Sequence, residues 1–548
     1  MAPGGVLVSP ETRCWRALLM LDLVFLAAAA ITLHLAPCGA WTNFVAGVEF
    51  WQNTDPGGPY VASALYFFRP RSYPPFPGHP GLTLQLPIAI FARAVYGIAR
   101  STGTTAPYLL FWAKHLRWIF IFAGYMIATW HVVSFHALYA LARRLVDTRA
   151  AFLGVLAYAT VFFTLYFSTR LSGEPIVVSM FLFMTLALWN ASDALAQSRR
   201  GRAFAWIALA AACTVCAFFT KLQLAGLLPA FGLLQLLVQR RENLQSLRSR
   251  LRTRLAPALC YVAVAAGCAF LWNLKMDWIS FFKLWFLYTP GQKDSAAINQ
   301  LLHHHSYTQI VQTYWHDASN MLGGFAQSVR RNTGLFFSLR TPQGLFTLSE
   351  AVFLPASLMG FVIYWRVQVD KRRLLFWPLL YAVILIPLLA YRGLWHYSCM
   401  HLALASIFFG HLLNWLLRPP RLRYGVVAVV LVHALSIGLV AQGKLFDIHI
   451  YRERILPFQQ AIDRGRYGRH VALVGPRIPP VWHMHGVLPQ WLWRDGRFQR
   501  ACESFFLRVP EGQRLTRAWA RTNRVDFVLE CHGASRLVPI EQWDFSAE

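Results

Sequence analysis

The sequence predicts an α-helical membrane protein that crosses the bilayer about eleven times, with large loops on one face and a small α/β unit at its C-terminus. Three observations lead there. Hydrophobic residues make up 56% of the 548 residues and charged ones only 14%, far from the balance of a soluble chain. Apolar stretches near bilayer length recur along the sequence. The basic residues behind the formal charge of +28 sit mostly between those stretches, in alternate linkers.

The stretches run Ala17 to His34, Trp118 to Leu141, Ala150 to Phe167, Pro175 to Ala191, Ala203 to Phe219 and Leu222 to Val238. Leu255 to Leu271, Phe346 to Tyr364, Leu374 to Ala390, Leu402 to Leu417 and Gly425 to Val440 follow. The first is too long for a signal-peptide core and lacks a small-x-small cleavage site, so it is expected to remain as an uncleaved span. Orientation follows from the linkers RCWR, ARRLVDTR, QSRRGR, QRRENLQSLRSRLRTR, WRVQVDKRR and RPPRLR, because positive residues at helix ends stay in the cytoplasm. The intervening short loops hold little beyond Arg170, Lys221 and Arg392. The N-terminus is therefore expected inside and the C-terminus outside.

Residues 1–440 then form a transmembrane domain and residues 441–548 an extracytoplasmic one. Two large loops, Leu35 to about Arg117 and Trp272 to about Leu345, share the outer face. The first contains the proline-rich ALYFFRPRSYPPFPGHPGL, followed by LTLQLPIAIFARAVYGI, whose arginines predict a helix lying along the interface. The tail alternates a strand-like HVALVG, a helix-like QRLTRAWARTN and a strand-like VDFVLE. Basic residues used as topology signals leave no basic, aromatic-lined groove for nucleic acid, and that partner is set aside.

Charges near a bilayer are costly, so those at outer helix ends are the first candidates for a site. Glu49 and Asp55 lie in the first loop, and Arg170 and Glu174 flank the turn TRLSGEP. Lys221 sits in FFTKLQL, and Arg392, His396 and Tyr397 in YRGLWHYSCMH. Each has a plainer reading. Arg170 and Glu174 have the spacing of a local ion pair; Lys221 has the stem to snorkel into headgroups; Arg392 and His396 suit either phosphate binding or interface anchoring. His303 to His305 read as a solvated run, because consecutive residues of a helix do not converge on one metal. Cys213 and Cys216, at CxxC spacing inside an apolar helix, read as packing residues, as do His131 and His136. Asp22, inside the first span, needs an interior partner and reads as structural. Cys502 and Cys531 fall in the tail, where an oxidising compartment permits a disulfide.

The order of these parts resembles the C superfamily of integral-membrane glycosyltransferases (GT-C), in particular the bacterial branch of protein mannosyltransferases and the lipid A aminoarabinose transferase. The resemblance spans roughly the first 440 residues and is carried by SYPPFPGHPGLTLQLPIAIF, the TRLSGEP turn, a TK at an outer helix junction and a late RGLWHY. It implies a bacterial inner-membrane enzyme that moves a sugar from a polyprenyl-phosphate donor to an envelope glycan, lipid or protein outside the cell. Lys221, Arg392 and Arg170 would then stabilise the lipid phosphate as it leaves. Glu174, His396, Tyr397 and His79 of the proline-rich segment would line the substrate site. A first-loop carboxylate would orient or deprotonate the acceptor. The family often carries an acidic pair or a lone Asp just after the first span. Here Thr42 and Asn43 stand in that place, so Glu49 and Asp55 become the candidates. No cofactor or metal site is predicted, and the resemblance leaves a divalent ion open. A lipid-linked glycan flippase or a noncatalytic assembly protein of the same fold are the competing readings.

Overall fold

The computed structural model describes residues 9–35, 81–221, 228–238, 247–273, 342–367, 399–418, 470–474, 506–509, 514–532 and 534–545, with scattered positions at 60–68, at 225 and at 424–456. Over these the protein is mostly helical. Six helices are long and apolar enough to cross a bilayer: Glu11–Leu35, Leu82–Ser101, Arg117–Ala142, Glu174–Ala196, Arg200–Thr220 and Cys399–Leu416. The expected spans Leu374 to Ala390 and Gly425 to Val440 fall outside the described residues or on isolated positions within them.

In chain order the first elements are α1 (Pro10–Leu35), α2 (Leu82–Ser101), α3 (Tyr108–Ala142), α4 (Thr148–Thr160) and α5 (Phe162–Tyr166). Next come α6 (Glu174–Ala196), α7 (Arg200–Thr220), α8 (Leu228–Val238), α9 (Leu247–Asn273), α10 (Pro342–Val367) and α11 (Cys399–Leu416). One expected span differs in kind. Ala150 to Phe167 is not one helix but two, because Val161 leaves the helical region at φ −67°, ψ 148°. The β-branched pair Thr160–Val161 has low helix propensity, and the break lets Phe162, Phe163, Tyr166 and Phe167 all enter the core. The remaining 13 residues of α4 reach only about 20 Å at 1.5 Å per residue. The stretch expected at Leu222 to Val238 is described as helix over the 11 residues of α8.

The bundle has two unlike ends. At one, Arg143 pairs with Glu11 at 2.7 Å, Arg144 with Asp193 at 3.0 Å, and Arg418 with Asp147 at 3.6 Å. These contacts join the start of α1, the end of α3, the start of α4, the end of α6 and the end of α11. Exposed pairs of this kind contribute about 1 kcal/mol or less each, so they mark registry more than stability. Asp147 also caps α4, accepting from the Ala150 N–H at 2.9 Å. The α6–α7 hairpin turns here through Ser198, whose φ of 57° reverses the chain. At the opposite end lie the starts of α2, α3, α6 and α11 and the end of α7.

Interior packing depends on small residues. A Cβ on Gly410 would stand 2.3 Å from the Gly154 backbone nitrogen, so α4 and α11 meet backbone to backbone. Asp22, placed in an apolar span, finds His136 of α3 at 2.7 Å, and Trp15 stacks on that imidazole at 5.9 Å. His131 is buried against Phe25, with ring centroids 5.7 Å apart. Cys213 and Cys216 are free thiols within α7.

α2 packs on the far end of α3. Phe91 stacks on Phe122 at 4.1 Å, and Tyr96 meets Tyr108 and Phe111 at 5.1 and 5.4 Å. All three partners lie in the half of α3 remote from the arginine-bridged end. The helix is buried through Ala92 and more open beyond it.

Beyond the bundle, strands β1 (His470–Val474), β2 (Phe506–Arg508), β3 (Val525–His532) and β4 (Ala534–Pro539) form a sheet of order β2-β1-β3-β4. β1 runs parallel to β2 and β3, and β4 returns antiparallel to β3. Strand alternation divides its side chains: Val471 and Phe527 join the apolar cluster of α2 and α3, while Ala472, Val474 and Val528 pack with Leu515 and Ala520. Ala520 belongs to α12 (Arg517–Thr522), capped by Thr516, which accepts from the Trp519 N–H. The sheet thus shares an apolar cluster with α2 and α3.

Candidate functional site

The α6–α7 hairpin determines what can meet at the end of the bundle that carries the start of α2. Glu174, in the first turn of α6, and Lys221, at the close of α7, lie almost equally far along the chain from the turn at Ser198. Two antiparallel helices must therefore bring them level. They do meet: Lys221 Nζ lies 2.5 Å from Glu174 Oε1, with the two side chains 0% and 1% exposed. Ser172 Oγ donates to Glu174 Oε2. Two opposite charges taken out of water hold each other, and removing one alone strands the other at a cost of about 3–5 kcal/mol.

The backbone beside Lys221 gathers two further segments. The Gly81 N–H donates to the Thr220 carbonyl at 3.1 Å, and the Thr83 and Thr220 hydroxyls meet at 2.5 Å. Thr220 Oγ1 also bonds the Cys216 carbonyl at 2.6 Å. Gly81 holds a left-handed φ of 61°, and a Cβ there would stand 2.3 Å from the Tyr60 ring, so the entry to α2 requires glycine. At the start of α11, the buried Cys399 lies near enough to Glu174 and Lys221 to feel both charges. Arg170 is buried above the turn, donating to the Tyr166 hydroxyl at 2.8 Å with its guanidinium 3.8 Å from that ring's centroid.

Of the residues expected to form the site, Arg170, Glu174 and Lys221 are described and cluster at this end. Glu49, Asp55, His79, Arg392, His396 and Tyr397 lie outside the described residues, as do His303 to His305 and Cys502. Lys221 differs from a cation snorkelling into headgroups: it is sealed in the bundle and paired with Glu174. Ser172, Thr83, Thr220 and Gly81 were not singled out by the sequence. Their signal was present in part, since Ser172 precedes the carboxylate by two residues and Thr220 adjoins the lysine. The hydrogen bond from Gly81, by contrast, joins segments far apart in sequence. Among the described residues no group of three or more His, Cys, Asp or Glu is arranged to hold a metal ion.

No protein-family model matches the chain, and no curated protein matches it either. Among solved structures the chain is similar to the archaeal oligosaccharyltransferase AglB from Archaeoglobus fulgidus in complex with an inhibitory peptide and a dolichol-phosphate. That match has 11% identity and a TM-score of 0.40, over 93% of this chain and 69% of that one. It is also similar to the oligosaccharyltransferase of the same organism in complex with Zn and sulfate, at 13% identity and a TM-score of 0.42, over 92% of this chain and 67% of that one. A likeness this shallow assigns neither a fold family nor an activity.

Proposed function

We propose that the chain is a GT-C-type membrane glycosyltransferase, resident in a bacterial inner membrane, that transfers a sugar from a polyprenyl-phosphate donor to an envelope glycan, lipid or protein. One observation supports the reading: two described parts of the resemblance, the start of α2 and the TRLSGEP turn, both meet the TK junction. The end of the proline-rich loop meets the TK junction through Gly81 and Thr220. The TRLSGEP turn meets it through Glu174 and Lys221. Sharing an end follows from antiparallel helices; what supports a site there is that these segments bond to one another through buried polar groups.

In this reading the donor's lipid tail lies in the bilayer and its phosphate reaches the outer boundary. Arg392 and His396 supply positive charge where the leaving phosphate develops its own, and Arg170 holds the neighbouring turn. His79 and Tyr397 lie beside the sugar. Glu49 or Asp55 positions or deprotonates the acceptor, which requires only hydrogen-bond reach. The tail sheet, which shares an apolar cluster with α2 and α3, would bind the acceptor or cover the cavity.

The test is reconstitution in nanodiscs with polyprenyl-phosphate sugars, together with mass spectrometry of envelope glycans from a deletion strain. Transfer is expected, and one of Glu49→Gln and Asp55→Asn should lower it by roughly 10²–10⁴-fold. Unchanged transfer in both variants removes the first-loop carboxylates from the chemistry. A glycan that accumulates on the wrong leaflet with no sugar missing would instead favour the flippase.

A further inference from the structure

We infer that Glu174 and Lys221 form a positioning pair that fixes the end of the first loop against the bundle, rather than a donor-binding group. The inference rests on the transferase reading only for its kinetic consequence; its structural content stands on geometry. Lys221 Nζ and Glu174 Oε1 are 2.5 Å apart and fully buried, so the lysine charge is compensated within the protein. A lipid phosphate approaching such a cation would have to displace a carboxylate that Ser172 also holds. The pair's neighbour in the chain is what gives it reach. Thr220, adjacent to Lys221, receives the Gly81 N–H at 3.1 Å and the Thr83 hydroxyl at 2.5 Å.

Gly81 is where the first loop ends and α2 begins. Tyr60, Val61, Ala64, Leu65 and Phe67 of the same loop are buried in the cluster of α2 and α3, and the Tyr60 ring lies against Gly81, so the node at Thr220 anchors the point where the loop enters α2. Locking Lys221 to Glu174 sets the height of the α7 terminus against α6. That in turn sets Thr220, and Thr220 sets Gly81. A change of one ångström in the attachment of a reacting group commonly costs two orders of magnitude in rate. The pair therefore acts on turnover and leaves donor affinity alone.

The experiment compares the full chain in nanodiscs as wild type, Glu174→Gln, Lys221→Met and the double variant Glu174→Gln/Lys221→Met. The double variant removes both charges and keeps an acceptor for Ser172, and neutral replacement of a buried pair is commonly tolerated where single removal is not. Hydrogen exchange of the amides from Gly81 to Gln85 is read beside sugar-transfer kinetics. The single variants are expected to exchange these amides at least about tenfold faster and to lose roughly 100-fold in kcat with donor KM unchanged. The double variant should restore slow exchange and most of kcat. Two results would overturn the inference: wild-type exchange at Gly81 in both single variants, or a double variant with restored exchange whose donor KM has risen at least tenfold. A wild-type chain that transfers no sugar would defeat the functional reading, while the exchange comparison would still decide the pair.

Discussion

Residue by residue, two buried carboxylates of the interior, Asp22 and Glu174, are tolerated because each has a basic partner. Asp22 in the middle of α1 is paired to His136 of α3 at 2.7 Å. His136→Ala leaves that carboxylate with one bond fewer inside the bundle, at a cost of about 1–3 kcal/mol. Thermal unfolding in detergent should register the loss, and Asp22→Leu/His136→Leu should recover most of it. A double variant no better than the single would mean that the two side chains do not interact. The sequence showed that Asp22 needed an interior partner, but not which one, because the partner lies 114 positions away. The same holds for Glu174. Its i,i+4 neighbour Arg170 was the partner visible in sequence, while the ion pair in the structure reaches across to Lys221. Local spacing cannot rank a nearby cation against one delivered by a helical hairpin.

At the scale of elements, apolar length was a good guide where a helix continues undisturbed and a poor one where it breaks. α6 and α7 extend the expected stretches by one to five residues at each end. Ala150 to Phe167 misled because hydropathy counts Thr160, Val161 and the aromatic run as apolar whatever their backbone does. Only the destination of four rings in the core reveals the break. α2 was read as an interfacial helix, and its contacts are confined to one end of α3, although its 20 residues are also long enough to cross a bilayer. Helix contacts made through glycine supply a sharper test. Gly410→Ala places a methyl 2.3 Å from the Gly154 nitrogen, and prying α4 from α11 should cost about 3 kcal/mol. Gly201→Ala, whose Cβ would meet open space, should be neutral or stabilising by up to about 1 kcal/mol. Heat-challenge chromatography of the two variants checks the contrast; equal losses would argue against a direct backbone contact between α4 and α11.

For the whole molecule, the two unlike ends are the main result, and the arginine pattern predicted them. Arg143, Arg144 and Arg418 gather at one end with their carboxylate partners, while the start of α2, the TRLSGEP turn and the TK junction gather at the other. The sequence could assign residues to ends because alternation of short loops is a one-dimensional property. It could not foresee that Val471 and Phe527 of the tail sheet join one apolar cluster with α2 and α3, which brings distant segments together. The functional account needs the end carrying Glu174, Lys221 and the start of α2 to face outward. Impermeant maleimide labelling of intact cells, in a background with its nine native cysteines replaced, tests this directly at two exposed turns, Gly103 between α2 and α3 and Ser198 between α6 and α7. The account predicts that Gly103→Cys is labelled in intact cells and Ser198→Cys only after permeabilisation; the reverse pattern would place the site in the cytoplasm and contradict it.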